Sequence, residues 1–181
     1  MPRYPERAHR KSKTETTVYH VGGKPVPGGR TSRAFSQEGG ELSVSEHPDE
    51  WADIARLGDE VWQLRKAGAR FLRVPGHKLP RATAWAVRHG YVELATVDRF
   101  GSLGEEAAGY RFGSLGEAYW RANFDDPVDH GWAEAFAPIF YARAHGYDGV
   151  WYDERYDPSD LSCPRGLILQ EKLPEWTVRK R

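Results

Sequence analysis

The chain has 181 residues, a length that suits one domain able to bury a hydrophobic core. Hydrophobic residues make up 39% of the chain and charged residues 29%, a balance that excludes a wholly disordered protein. The formal net charge is zero, which argues against broad electrostatic capture of nucleic acid or of a membrane surface.

The N-terminal segment is basic, because residues 1–13 hold five Arg and Lys side chains against Glu6. It lacks apolar periodicity, so we predict a disordered leader over residues 1–14 and one domain over residues 15–181. Contact of the basic chain ends with a polyanion is the alternative. No apolar run approaches the roughly 18 residues of a membrane span. The single cysteine, Cys163, fits a reducing compartment, so we expect a cytoplasmic protein without a membrane partner.

In chain order, the hydrophobic pattern predicts two strands, a helix and two further strands, at residues 16–21, 41–45, 47–58, 60–64 and 70–74. Helices are then expected at residues 80–89 and 131–145, and strands at residues 149–153, 166–170 and 176–179. A glycine ends or follows each helix, where it can cap the chain. About seven strands and three helices in mixed order favour an α+β fold with a mixed, largely antiparallel sheet.

The heptapeptide RFGSLGE occurs twice, at residues 99–105 and 111–117. Two copies are too few for a solenoid, which needs about three repeats. We interpret the copies as a local duplication that gives two similar turns. The alternative is that a Gly-Ser-Leu-Gly turn presents its backbone N–H groups to a phosphate.

Two short segments early in the chain are candidates for ligand binding. His20 follows Tyr19 at the end of the first strand and precedes a flexible glycine pair, so its ring can reach a ligand without steric cost. Ser43 and Ser45 share one face of the second strand, where hydroxyls can bind a sugar or an amide. A structural histidine and a solvent-facing strand are the alternative interpretations.

The segment HGYDGVWYDERYD, residues 145–157, brings Tyr152, Asp153 and Glu154 to the far end of a strand. Clustered carboxylates in such a place suit acid–base chemistry or the stabilisation of a cationic transition state. A solvated hairpin end is the alternative. The sequence has no Cys/His spacing for zinc, no P-loop, no dinucleotide glycine motif and no nucleophile elbow, so no metal is expected.

The order of these segments resembles the ADP-ribosyltransferase fold, as found in small bacterial and phage members. The matching segments are YHVGG at residues 19–23, LSVSEHPDEWADIA at residues 42–55, and GYDGV at residues 146–150, which precedes an insertion and an apolar strand. The resemblance implies an ADP-ribosyltransferase-like α+β fold with a split sheet, and NAD as the substrate.

Carried over by position, the resemblance implies that His20 binds the adenosine ribose of NAD, with Tyr19 and Gly22 beside it. It implies that Ser43 and Ser45 brace the nicotinamide ribose or the pocket wall.

The family's catalytic glutamate position is occupied here by Arg165. A carboxylate is needed to stabilise the oxocarbenium-like centre that forms as nicotinamide leaves, and a guanidinium would oppose it. We therefore expect Glu154 to be the catalytic carboxylate, with Tyr152 stacked on nicotinamide, Asp153 as second candidate and Glu171 after it.

The leading functional hypothesis is an NAD-dependent ADP-ribosyltransferase that modifies a protein or nucleic-acid target, of the kind found among toxins and phage effectors. A catalytically inactive module that binds NAD or a partner is the second hypothesis. A small nucleic-acid-associated protein that uses its basic tails and surface aromatic residues is the third.

Overall fold

The computed structural model describes residues 14–27, 40–55, 60–76, 78–98, 106–153 and 165–181. This part of the chain forms an α+β fold with one seven-stranded sheet and one separate two-stranded hairpin. Within the described ranges, no helix has both the length and the apolar character needed to cross a bilayer.

The strands and helices follow one another in mixed order. The strands are β1 (Glu15–Val21), β2 (Leu42–Ser45), β3 (Val61–Ala67), β4 (Phe71–Val74), β5 (Val92–Asp98), β6 (Glu106–Phe112), β7 (Gly149–Tyr152), β8 (Arg165–Ile168) and β9 (Thr177–Lys180). The α-helices are α1 (Pro48–Ala55), α2 (Pro80–Arg88), α3 (Ser114–Asn123) and α4 (Ala133–Ala144), and short 3-10 helices span His130–Trp132 and Gln170–Glu175.

The large sheet has the strand order β4-β7-β8-β2-β1-β3-β9. Strands β4 and β7 run parallel, and the other neighbours in this sheet run antiparallel. The seven strands predicted from the sequence are the seven strands of this sheet. The prediction of an α+β fold with a mixed, largely antiparallel sheet is therefore confirmed.

The ladder between β1 and β2, near the centre of the sheet, is the shortest between neighbouring strands of this sheet. These strands share a single register pair, Tyr19 opposite Ser45, whereas β1 and β3 are paired from Glu15 to Val21. The two halves of the sheet are thus joined at one point rather than separated into two sheets. Among the described residues, β1 and β2 share no further register pair.

Alternate side chains of each strand point to opposite sides of the sheet. A hydrophobic cluster covers each of the two faces. Leu72, Val150 and Leu167 lie on one face and join the large core beneath α2, α3 and α4. Val18, Leu64 and Ile168 belong to the second core, on the other face, which Leu173 and Trp176 cover from the C-terminal segment.

The hairpin β5–β6 and helix α3 are absent from the sequence-based prediction. Val92 and Phe112, at the base of the hairpin, are buried in the large core, whereas Leu94 is 68% exposed. The second RFGSLGE copy was predicted to be a turn, and this is wrong, since its Ser114 begins α3. A Cβ on Gly116 would lie 2.2 Å from Tyr91 O, so this glycine permits close packing of the helix. The first copy lies outside the described residues.

Candidate functional site

Several of the predicted site residues lie where the ladder between β1 and β2 is reduced to one register pair, and this interruption of the ladder is called the opening. Gly22, just beyond β1, has a φ of 127°, a conformation that favours glycine. Its N–H donates to Glu60 O at 2.8 Å, and Trp62 Nε1 donates to its carbonyl at 3.0 Å. Gly22 is therefore held by β3 and its flank, and the chain turns away from β2 here.

His20 crosses the opening. Its Nδ1 lies 2.8 Å from Ser43 O, so the ring replaces the backbone bond that is missing between the strands. Burial lowers the pKa of His20, and hydrogen bonds to the carbonyls of Ser43 and Gly23 oppose this effect only in part. The ring is therefore predominantly neutral near pH 7. Because Ser43 O can only accept, the neutral ring carries its hydrogen on Nδ1.

Ser43 and Ser45 lie on one face of β2, together with Tyr19 across the ladder. The hydroxyl of Ser45 accepts a hydrogen bond from His47 N at 3.0 Å, so it holds the chain where α1 begins. The hydroxyl of Ser43 is buried, and within the described part of the chain it has no hydrogen-bond partner. Strand alternation directs the His20 ring to the other face, so His20 meets the backbone of Ser43 rather than its hydroxyl.

A cleft of about 260 Å³ lies next to the opening, between β1 and the first turn of α1. This volume is below the range of about 300–1,000 Å³ that is typical of small-molecule sites, so it fits part of a ligand. The guanidinium of Arg181 lies 5.7 Å from the centre of the Tyr19 ring and 3.4 Å from Asp49 Oδ1. The lining residues are Tyr19, Glu46, His47, Pro48, Asp49, Glu50 and Arg181.

Charge in the cleft favours a cationic ligand. Three carboxylates, of Glu46, Asp49 and Glu50, face one guanidinium, and Tyr19 adds an aromatic ring. Asp49 and Glu50 lie in the first turn of α1, where they also suit the helix dipole. Arg181 is a cleft residue that the sequence does not reveal, because no local pattern places it beside Tyr19.

The predicted catalytic segment lies farther along the sheet. Tyr152 is fully buried in the large core, so in this conformation it offers no ring face to a ligand. Asp153 lies at the exposed end of β7, where its carboxylate pairs with Arg73 at 2.6 Å. Strand β8 lies between β7 and β2, so Asp153 is separated from the β1–β2 opening. Glu154 lies outside the described residues.

Arg165 begins β8 and lies opposite Ser45 in the ladder on one side and Tyr152 on the other. Its guanidinium carbon is 5.3 Å from the centre of the Trp51 ring, a cation–π arrangement. Trp51 is buried against Val21, and its Nε1 has no hydrogen-bond partner among the described residues. A cation therefore occupies the strand position where the resemblance expects a carboxylate.

The GYDGV segment has a structural explanation. Asp148 accepts a hydrogen bond from Arg70 N at 2.7 Å and also bonds to Lys66. A Cβ on Gly149 would lie 1.8 Å from Leu167 O, so only glycine allows β7 and β8 to approach here. These contacts give the GYDGV segment a structural role in the sheet.

A buried polar network lies at the opposite end of β2 and was not predicted. Glu41 accepts hydrogen bonds from Tyr119 Oη at 2.7 Å, from Arg143 Nη2 at 2.5 Å and from Gln170 N at 2.7 Å. Burial raises the pKa of Tyr119 well above its usual value. Glu171, the third-ranked catalytic candidate, also belongs to this network, because its Oε1 lies 2.5 Å from Arg143 Nε. Three donors thus converge on the carboxylate of Glu41, which indicates a stabilising role.

In the part of the chain that the structure describes, no group of three or more His, Cys, Asp or Glu side chains is arranged to hold a metal ion. No protein-family model matches the chain, and no curated protein matches it. Among solved structures, a crystal structure of an anti-CRISPR protein is similar at 14% identity, over 94% of this chain and 98% of that one, with a TM-score of 0.43. A likeness at this level carries no argument about fold or function.

Proposed function

We propose that this chain is an NAD-binding protein of the ADP-ribosyltransferase type, with NAD held at the opening between β1 and β2. The observation that carries the proposal is the environment of Ser43. Its carbonyl fixes the His20 ring across the opening, while its buried hydroxyl has no partner in the described structure. Buried hydroxyls are normally hydrogen-bonded, and a ligand hydroxyl or amide at this place supplies the missing partner.

The neighbouring groups suit different parts of NAD. His20 fixes the strand backbone through Ser43 O, on the opposite face of the sheet from Tyr19 and the Ser43 hydroxyl. The adjoining cleft combines the Tyr19 ring with three carboxylates, and the nicotinamide ring of NAD⁺ is a cation. The cleft is too small for the whole dinucleotide, so the rest of the molecule extends along the opening. In this arrangement Tyr19, rather than the buried Tyr152, stacks on nicotinamide.

For transfer, the ADP-ribosyl group passes to a protein or nucleic-acid target as nicotinamide leaves. Glu154 is the proposed catalytic carboxylate, and Asp153 is the second candidate. The pairing of Asp153 with Arg73 reduces its suitability, because a carboxylate already neutralised by a guanidinium stabilises a cationic centre poorly.

NAD binding without turnover is the second candidate function, and one observation favours it. Arg165 lies opposite Ser45, so its positive charge is one strand away from the proposed ligand. A guanidinium there disfavours an oxocarbenium-like transition state but does not oppose binding of the phosphates of NAD.

Binding is tested first, by measuring the thermal midpoint of unfolding in the presence of NAD and, for comparison, in the presence of ADP, which lacks nicotinamide. At ten times the dissociation constant, NAD should stabilise the native state by about 1.4 kcal/mol, which raises the midpoint by roughly 3–6 °C. No rise with millimolar NAD, in an assay where a known NAD-binding protein responds, would contradict the proposal.

Turnover is tested second, with NAD labelled in the adenylate and in the nicotinamide. Wild type should release nicotinamide, and Glu154→Gln should lower the rate by a factor of about 100 or more. Asp153→Asn is the matched control and should retain most of the rate. Binding with no turnover for any target tried would favour the second candidate, and near wild-type rates in both variants would contradict the assignment of Glu154.

A further inference from the structure

Helices α2 and α4 end in nearly the same way. Residues 85–91 read WAVRHGY and residues 141–147 read YARAHGY. Each helix stops at its histidine, and the glycine that follows has a φ of 77° in the first case and 69° in the second. The two helices pack side by side, so these ends lie on one surface.

At each end the histidine ring is fixed against an aromatic ring one turn earlier. His89 stacks on Trp85 at a centroid distance of 4.2 Å, and His145 stacks on Tyr141 at 3.9 Å. In both cases Nδ1 bonds to the backbone carbonyl of that aromatic residue, at 2.7 Å and 2.8 Å. Both histidines are exposed, and each retains its Nε2 for an outside partner.

The charge of this surface is positive, although the chain as a whole is neutral. Helix α2 has no acidic residue, and its exposed Arg88 makes no ion pair with another described residue. The guanidinium of Arg81 lies 5.9 Å from the centre of the Tyr141 ring. The α2–α4 surface consists of Arg81, Trp85, Arg88, His89, Tyr141 and His145.

We infer that the α2–α4 surface binds single-stranded nucleic acid. Single strands are bound by cationic side chains that contact phosphates and by rings on which unpaired bases stack, and imidazole is among those rings. The surface combines both kinds of group in a rigid arrangement. An acidic peptide would be attracted by the arginines but would make no use of the stacked rings. The inference does not depend on NAD, because the residues of the surface belong to neither the opening nor the cleft.

The test is fluorescence anisotropy with a labelled mixed-sequence 15-nucleotide DNA strand, over a series of salt concentrations. The double variant Arg81→Gln and Arg88→Gln removes two phosphate contacts, so the affinity should fall about 25-fold at 0.1 M salt and the salt slope by about 1.4. His89→Ala should weaken binding about fivefold or more, through lost stacking. All three positions are exposed, so the variants should fold.

Arg121→Gln is the matched control, because Arg121 is a 68% exposed arginine on α3. It should leave the affinity unchanged. Binding that survives intact in the double variant, or no binding at low salt, would overturn the inference. Equal binding of polyglutamate, with no effect of His89→Ala, would also overturn it and would indicate an acidic protein partner.

Discussion

Tyr19 lies directly opposite Ser45, and in the described part of the chain this is the single register pair between β1 and β2. On one side of the pair is the acidic cleft at the start of α1, and His20 bridges the strands through its bond to Ser43 O. An opening in the middle of a sheet leaves backbone and side-chain groups without their usual partners. The proposed ligand site therefore follows from where the ladder stops.

The first prediction concerns pH. The pKa of His20 is lowered in the folded protein, so below about pH 6.5 the unfolded chain binds a proton more readily at this residue. The contribution of His20 to stability should be fully present at pH 7 and should fall as the pH drops through 6.5 towards the lowered pKa. The free energy of unfolding should lose at most about 1.4 kcal/mol per pH unit from this source.

The measurement is urea unfolding of wild type and His20→Asn between pH 7.5 and 5. Asparagine keeps a side-chain N–H for Ser43 O but does not titrate in this range. The difference between the two unfolding free energies should change with pH in favour of the variant as the pH falls. Parallel curves would show that His20 titrates alike in the folded and unfolded states.

The second prediction concerns the GYDGV segment. Gly149→Ala places a Cβ 1.8 Å from Leu167 O, so β7 and β8 must separate in the centre of the sheet. We expect a loss of at least about 3 kcal/mol in the free energy of unfolding, or failure to accumulate as soluble protein. Gly23→Ala is the control, because its Cβ would meet no atom within 4 Å. That variant should remain within about 0.5 kcal/mol of wild type.

The third prediction concerns the buried carboxylate of Glu41. Glu41→Gln removes the charge that Arg143 and Tyr119 contact, and breaking a buried pair in this way should cost about 3 kcal/mol. Glu93→Gln is the control, since its pair with Arg111 is exposed and is worth at most about 1 kcal/mol. Chemical denaturation gives both values. Equal small losses would mean that the Glu41 network does not contribute to stability.

The sheet was predictable from the sequence because its strands obey local rules. Strands such as β2 alternate apolar and polar residues, whereas β7 and β8 are short apolar runs, and both patterns can be read without knowledge of the partner strands. The β5–β6 hairpin gives a weaker signal, because its strands VELATVD and EAAGYRF contain few large apolar residues.

The site was predictable only in part, because it depends on contacts between distant residues. Tyr19, His20, Ser43 and Ser45 do lie close together at the junction of β1 and β2. The bond between Arg143 and Glu41 joins residues 102 positions apart, and the contact of Arg181 with Asp49 spans 132 positions. Burial of Tyr152 likewise comes from helices packed over β7, which no local pattern shows.

The last prediction separates the roles of the two serines of β2. Ser45 Oγ accepts a hydrogen bond from His47 N, so Ser45→Ala should lower the free energy of unfolding by about 1 kcal/mol. Ser43 Oγ is buried without a partner among the described residues, so Ser43→Ala removes an unsatisfied group. In the absence of ligand its stability should be unchanged or higher by up to about 1 kcal/mol.

In NAD binding, Ser43→Ala should be the more affected of the two variants. If NAD bonds to the Ser43 hydroxyl, Ser43→Ala should weaken NAD binding about fivefold, since one neutral hydrogen bond is worth about 1 kcal/mol. Calorimetric titration with NAD, beside unfolding curves without it, measures both quantities on the same variants. A destabilised Ser43→Ala protein with unchanged NAD affinity would mean that the hydroxyl serves the fold, and the ligand site would then have to lie elsewhere.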